Sequence, residues 1–132
     1  MKAVCTQYGP PEVLQLTEVE KPVCRGNEVL IKVHAAAVTS GDCRCRGFTM
    51  PEHFSVLTRL AMRMALGITR PRKPILGLIL AGEVETAVRR VTRFRAGDQV
   101  FGDTGMRFGA YAEYTCLPED AAIALKPANI NL

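Results

Sequence analysis

NEVLIKVHAAAVTSGDCRCRG, residues 27–47, holds two different kinds of pattern in succession. In its first half Val29, Ile31 and Val33 point one way and Glu28, Leu30, Lys32 and His34 the other, the two-residue period of a half-buried β-strand. In its second half Thr39, Ser40 and Asp42 supply side-chain oxygens suited to the free amides at a helix start. Cys43 and Cys45 follow, one residue apart. They are half of a metal site, or two ordinary thiols on a helical turn.

Outward from this stretch the strand signal recurs. VLQLTEVE (13–20) alternates, and turn chemistry precedes both segments, GPPE at 9–12 and CRGNE at 24–28. FSVLTRLAMRMALG (54–67) changes period, with Leu57, Leu60, Ala61 and Met64 on one helical stripe and Arg59 and Arg63 four apart on another. Thr49 with Glu52 predicts a capping box, Pro51 is tolerated in the first turn and Gly67 is a stop, so one amphipathic helix is expected near 52–66. After it come ILGLILAGEVETAV (75–88), DQVFG (98–102), GAYAEYTCL (109–117) and AIALKP (122–127), with RAGD (95–98) as a tight turn. Many short strands, Gly/Pro turns and one helix predict a mainly β barrel or sandwich.

The 132 residues, 48% of them hydrophobic and 23% charged, suit one domain whose core needs neither disulfide nor metal. No apolar run approaches the ~18 residues of a membrane span. MKAVCTQYGPPE has none of the apolar h-region of a secretory signal. Cys5, Cys24, Cys43, Cys45 and Cys116 are odd in number and scattered, which predicts a reduced, cytoplasmic protein. Net charge is +4, unevenly spread: Arg44, Arg46, Arg59, Arg63, Arg70, Arg72 and Lys73 stand against Glu52 alone in residues 44–73. Arg89, Arg90, Arg93 and Arg95 form a second cluster. Such patches suit nucleic acid, anionic lipid or a phosphorylated cofactor, or are a solvated face. Without interleaved aromatics or a recognition-helix pattern, nucleic acid is not the expected partner.

Five phrases stand in a telling order: MKAVCTQYGPPEVLQLTEVEKP, the stretch 27–47, PILGLILAGEVE, VTRFRAGDQVFG and GAYAEYTCLPEDAAIALKP. Together they resemble the N-terminal, GroES-like domain of medium-chain dehydrogenases/reductases, in the zinc-independent, quinone oxidoreductase-like branch. The resemblance runs over essentially all of residues 1–132. It implies a GroES-like, partly open β-barrel with a short helical turn near 40–46. In zinc-dependent relatives a catalytic cysteine falls on Thr39, and a Gly-His-Glu triplet falls on Gly77-Leu78-Ile79. Leucine offers zinc no ligand atom and threonine a poor one. The relatives' four-cysteine lobe would follow GDQVFG, where DTGMRFGAYAEY has no cysteine. No zinc is therefore expected, and Cys43 and Cys45, beyond the ligand position, are expected to be ordinary thiols.

The resemblance further implies hydride transfer from NADPH to a quinone or enone. Thr39, Ser40 and Asp42 are then the catalytic candidates. A hydroxyl of Thr39 or Ser40 would bond the cofactor's ribose or carboxamide, or the substrate oxygen; alternatively the two cap the turn. Asp42 would hold a basic neighbour or cap the same turn. Tyr8 and Tyr111 are candidates for the substrate cleft, with a packed, half-exposed aromatic the other reading for Tyr8. Tyr111 and Tyr114, three apart, are expected on opposite sides of a strand. The helix is expected to cover core rather than anchor to a membrane, and in this family it also suggests a lid over the substrate entrance. Val88 stands near a glycine of the relatives, so that turn is either strained by ~1 kcal/mol or more, or rearranged. Ile79 replaces a glutamate that many relatives carry.

No G-x-G-x-x-G occurs, so the family's Rossmann domain is expected to be missing from this chain. The 132 residues alone are then expected to be inactive, to bind NADPH weakly or not at all, and to form a homo-oligomer through an uncovered apolar face. The alternatives are a stand-alone GroES-like interaction or chaperone-like module, or a truncated, non-catalytic remnant.

Overall fold

The computed structural model of the chain describes residues 2–130. Among them the alternating segments become strands β1 (Lys2–Cys5), β2 (Leu14–Thr17), β3 (Glu28–Ala37), β4 (Ile79–Ala87), β5 (Gln99–Asp103), β6 (Tyr114–Pro118) and β7 (Ala122–Leu125). Helices α1 (Ser40–Gly47) and α2 (Val56–Leu66) lie between β3 and β4 in the chain. Five strands form one antiparallel sheet in the order β6-β3-β4-β5-β7, and β1 pairs with β2 separately. Two register shifts of β3 against β4, at Leu30/Ile31 and Val33/Ala35, bend and twist the central pair. The sheet curls into the expected partly open barrel. Isolated bridges Lys2↔Ala112 and Val4↔Ile75 fasten the small sheet to the loops that flank β4 and β6.

The pleat decides which side chains meet. Val29 and Ile31 of β3, Leu80 and Val84 of β4, Val100, Leu117 and Ile123 are buried together with Phe94 and Ala110. A second, smaller cluster of Cys5, Leu76 and Phe108 sits near the two helices, with Val13, Leu14, Cys45, Leu66, Leu78 and Tyr111 packed against it. At RAGD the Arg95 amide donates to Asp98 Oδ2 at 2.8 Å and the Asp98 amide to the Arg95 carbonyl at 3.1 Å, a closed turn as its sequence predicts.

Several expectations need correction. α2 starts at Val56 rather than near 52, because Ser55, not Thr49, caps it: Ser55 Oγ accepts the Thr58 amide at 3.2 Å. Its stripe does not cover core, since no residue of α2 is buried. β2 and β6 are shorter than their alternation, so Tyr111 lies in a loop ahead of β6 while Tyr114 begins the strand and pairs with Lys32. The turn at Val88 is rearranged, not strained, for among the described residues only Phe48 and Phe108 are non-glycine residues with positive φ. The all-thiol reading fails for one pair, because Cys24 and Cys116 form a disulfide with a Cα–Cα distance of 5.5 Å. Register explains it: Cys116 stands opposite Leu30 at the start of β3, beside the turn that holds Cys24. Among the described residues no helix is long and apolar enough to cross a membrane.

Candidate functional site

β3 delivers the chain to the site, and Thr39 turns it into α1 from an extended conformation (φ −104°, ψ 164°). The capping chemistry in TSGD forms in full. Thr39 Oγ1 accepts the Asp42 amide at 3.3 Å, while Asp42 Oδ2 accepts the Thr39 amide at 2.9 Å and the Thr39 hydroxyl at 2.8 Å. The other carboxylate oxygen, Oδ1, accepts the Gly77 amide at 3.1 Å, across a gap of 35 residues. Asp42 is only 2% exposed. A buried carboxylate with three donors is paired as burial requires, and it ties α1 to the segment ahead of β4.

Gly77 is where these segments crowd. Its φ is +101°, and a Cβ there would lie 2.6 Å from the Tyr111 amide nitrogen and 2.7 Å from the Ala110 Cβ. Its carbonyl accepts the Thr104 hydroxyl at 3.0 Å. Tyr111 is brought in by its own amide, which donates to the Leu76 carbonyl at 3.0 Å. The ring is half-buried, yet its hydroxyl is enclosed and meets no hydrogen-bond geometry with any described residue. Burial, and then the nearby Asp42 carboxylate, push that phenol up to about 12, so it stays protonated at neutral pH.

Across the second cluster, Tyr8, Cys45, Leu66, Arg72, Leu76 and Phe108 help to line a largely apolar cavity of about 300 Å³. The Tyr8 hydroxyl donates to the carbonyls of Gly67 at 2.8 Å and Leu66 at 3.1 Å, so the ring is pinned under the end of α2. Burial raises the Tyr8 phenol, the Cys5 thiol and the Cys45 thiol; the Asp42 charge adds to the last. A raised thiol pKa makes Cys5 and Cys45 poor nucleophiles and poor metal ligands at neutral pH. Among the described residues one group of three ligand-type side chains clusters, Cys24, Glu28 and Cys116, where both sulfurs are already joined.

The structure thus gathers Thr39, Asp42 and Tyr111 around Gly77 and sets Tyr8 on the cavity wall. Ser40, at the first turn of α1, is exposed and its hydroxyl is unpartnered among the described residues. Leu78 packs against the first turn of α1: its Cδ1 would stand 2.9 Å from a Cβ at Gly41. Sequence reading missed Gly77 as the junction and missed Cys45, Leu66 and Arg72 as cavity lining. The first had a signal, a glycine between apolar residues ahead of a strand. The lining residues had none, since the loops that bring them together are distant in sequence.

A curled antiparallel half-barrel with two helices inserted between its central strands is the architecture of a GroES-like domain. The chain belongs to the alcohol dehydrogenase GroES-like domain family, whose model matches residues 25–127. It is 33% identical over 124 residues to the quinone oxidoreductase of Sus scrofa, spanning 90% of this chain and 31% of that protein. It is 32% identical to the 2-methylene-furan-3-one reductase of Solanum lycopersicum, over 96% of this chain and 30% of that protein. The quinone oxidoreductase of Coxiella burnetii superposes with a TM-score of 0.74 at 32% identity, covering 99% of this chain and 38% of that one. The Escherichia coli quinone oxidoreductase, solved with NADPH, gives a TM-score of 0.74 at 25% identity over 98% of this chain and 34% of that one. The chain spans about a third of the length of the curated relatives it matches.

Proposed function

We propose that this domain is the substrate-side half of a zinc-independent oxidoreductase that passes a hydride from NADPH to a quinone or an enone. One observation carries the reading: at the first turn of α1 the free groups are the Ser40 hydroxyl and the apolar Leu78, while Thr39 and Asp42 are engaged with each other. An exposed, unpartnered hydroxyl one residue from Gly41, on which Leu78 packs, suits an uncharged carbonyl acceptor and gives a metal no ligand set. When bound, NADPH supplies the hydride; the protein supplies binding, orientation and a dry cleft.

Ser40 fits the cofactor's ribose or carboxamide, or the substrate oxygen, as a hydroxyl that both donates and accepts. Thr39 and Asp42 act as positioning residues that hold Ser40 at the helix start. Tyr111 packs behind them with its proton retained, and Tyr8 walls the cavity that would receive the substrate. The dinucleotide phosphates need a second, dinucleotide-binding domain, so the 132 residues alone hold NADPH weakly. The other partners are a quinone or enone and, through exposed Ile79, Phe101 and Leu125, further copies of the chain. We place the reaction in the cytoplasm, where the cofactor is kept reduced and where the Cys24–Cys116 disulfide has to resist the thiol pool.

The test fuses residues 1–132 to the dinucleotide-binding domain of the Coxiella burnetii relative and follows NADPH absorbance with a benzoquinone and with an enone. The expected result is turnover by the fusion, none by the 132-residue chain, and a Ser40→Ala fusion slowed about tenfold, the size of one lost directed hydrogen bond. A folded fusion that binds NADPH and reduces neither substrate sinks the reading.

A further inference from the structure

α2 has an apolar stripe and nothing of the described protein over it. Val56 is 83% exposed, Leu57 77%, Leu60 55% and Met64 57%, and Ile68 just beyond the helix is 59% exposed. The helix is held from its other side and its ends. Arg63 lies over the Phe48 ring, 4.8 Å from its centroid, and the Arg59 guanidinium donates to the Pro51 carbonyl at 3.2 Å. Tyr8 holds the carbonyls of Leu66 and Gly67. These attachments fix the stripe outward, away from the rest of the described protein.

The charge around the stripe is predominantly positive, with Glu52 ahead of the helix the one acid in residues 44–82. Residues 53–82 contain Arg59, Arg63, Arg70, Arg72 and Lys73 and not one Asp or Glu. Arg63, Arg70, Arg72 and Lys73 are exposed, and the guanidinium groups of Arg70 and Arg72 have no partner among the described residues. An amphipathic helix with Leu, Val and Met on one side and arginines beside them is built for an interface that is apolar below and anionic above. The stripe residues Val56, Leu57, Leu60 and Met64 carry no side-chain hydrogen-bonding group, and Val56 and Leu60 border a hollow with Phe48 and Met50. A lipid surface supplies both layers at once, acyl chains for the stripe and phosphates for the basic side chains beside it.

We propose that α2 docks this domain on anionic lipid surfaces, with Val56, Leu57, Leu60 and Met64 entering the headgroup–acyl boundary and the unpartnered Arg70 and Arg72 meeting lipid phosphates. This is peripheral attachment by an 11-residue helix, not a span. It stands independently of the redox reading.

The chain has no tryptophan, so Leu60→Trp places a single reporter on the exposed stripe of the 132-residue protein. The probes are vesicles of phosphatidylcholine alone and of phosphatidylcholine mixed with phosphatidylglycerol. The expected result is a blue shift and co-sedimentation with the mixed vesicles only, weakened by high salt. Adding Leu57→Glu should weaken partitioning at least about tenfold, and Arg70→Gln or Arg72→Gln about fivefold each. Circular dichroism should match the parent, since these side chains are exposed. Three results overturn the proposal: no shift with either vesicle, equal binding to both, or a shift without lipid. The last, if it grows with protein concentration, assigns the stripe to a second copy instead; if present at every dilution, it assigns the stripe to the chain's own cover.

Discussion

Asp42→Ala should be among the most damaging single changes to this domain, although it removes no apolar contact of note. The carboxylate accepts from the Gly77 amide at 3.1 Å, the Thr39 amide at 2.9 Å and the Thr39 hydroxyl at 2.8 Å, and it is 2% exposed. Alanine leaves the buried Gly77 N–H without an acceptor, at about 1–3 kcal/mol. Loss of the capping box adds about 1 kcal/mol. The sum, roughly 2–4 kcal/mol, corresponds to a Tm lower by roughly 6–16 °C for a domain of this size. Urea unfolding followed by circular dichroism reads the change directly. Asp103→Ala is the control, since Asp103 Oδ1 accepts the Gly105 amide at 2.6 Å on an exposed turn, and its loss should cost less than about 1 kcal/mol. An Asp42→Ala chain within 1 kcal/mol of its parent would refute the claim that this carboxylate fastens α1 to the segment ahead of β4.

The other predictions are briefer. Gly77→Ala meets both a φ of +101° and a backbone nitrogen 2.6 Å from the new Cβ, and should lose about 2–4 kcal/mol in the same unfolding assay. Cys24→Ser opens the loop closed by the Cys24–Cys116 disulfide and should lower stability by about 2–4 kcal/mol; added dithiothreitol should reproduce the loss in the parent and leave the variant unchanged. Burial, with the Asp42 charge second, pushes the folded Tyr111 phenol from its ordinary 10.0 up to about 12, so its contribution to stability is complete below pH 10 and falls away as pH rises toward 12. Tyr111→Phe should flatten that alkaline loss. Asp42→Asn should lower the Tyr111 midpoint by ultraviolet titration yet keep it above that of an ordinary tyrosine, because burial is the larger cause. Light scattering on concentrated protein should show self-association through the exposed apolar sheet residues; a monodisperse 14.4 kDa species excludes it.

Local chemistry was legible wherever a residue acts on close neighbours. The alternation in 28–35 became β3, the oxygens of TSGD became a capping box, and Gly67 ended α2 as expected. What failed depends on contacts far along the chain. Thr49 and Glu52 match a capping box as well as Ser55 does, but Phe48 ahead of them takes a left-handed conformation to close α1, and the Pro51 carbonyl is engaged by the Phe54 amide. Period reveals that α2 has an apolar stripe and is silent on which way the stripe faces; Tyr8, Phe48 and Pro51 decide that from outside the helix. The disulfide joins cysteines 92 residues apart, through a register that no spacing rule contains. Tyr111 left the strand because the loop before β6 wraps Gly77, with the Ala110 amide donating to the Gly77 carbonyl.

The same distinction assigns roles within the candidate site. A carboxylate that already holds three donors has little reason to exchange a proton with a substrate, and a hydroxyl that both accepts from and donates to that residue is occupied as well. Catalytic electrostatics depend on groups whose orientation is fixed before the reaction, so that nothing reorganises when charge develops. Thr39 and Asp42 meet that requirement, and on the proposed reading they are the scaffold that sets the backbone of Ser40 at the helix start, leaving its hydroxyl for the ligand to orient. Two substitutions separate these roles. In a cofactor-loaded fusion, Ser40→Ala should change turnover while leaving urea stability within about 0.5 kcal/mol. Asp42→Asn should lower both together. The reverse pattern, with Asp42→Asn silent in stability and severe in turnover, would return Asp42 to the chemistry and leave Ser40 an ordinary first residue of a helix.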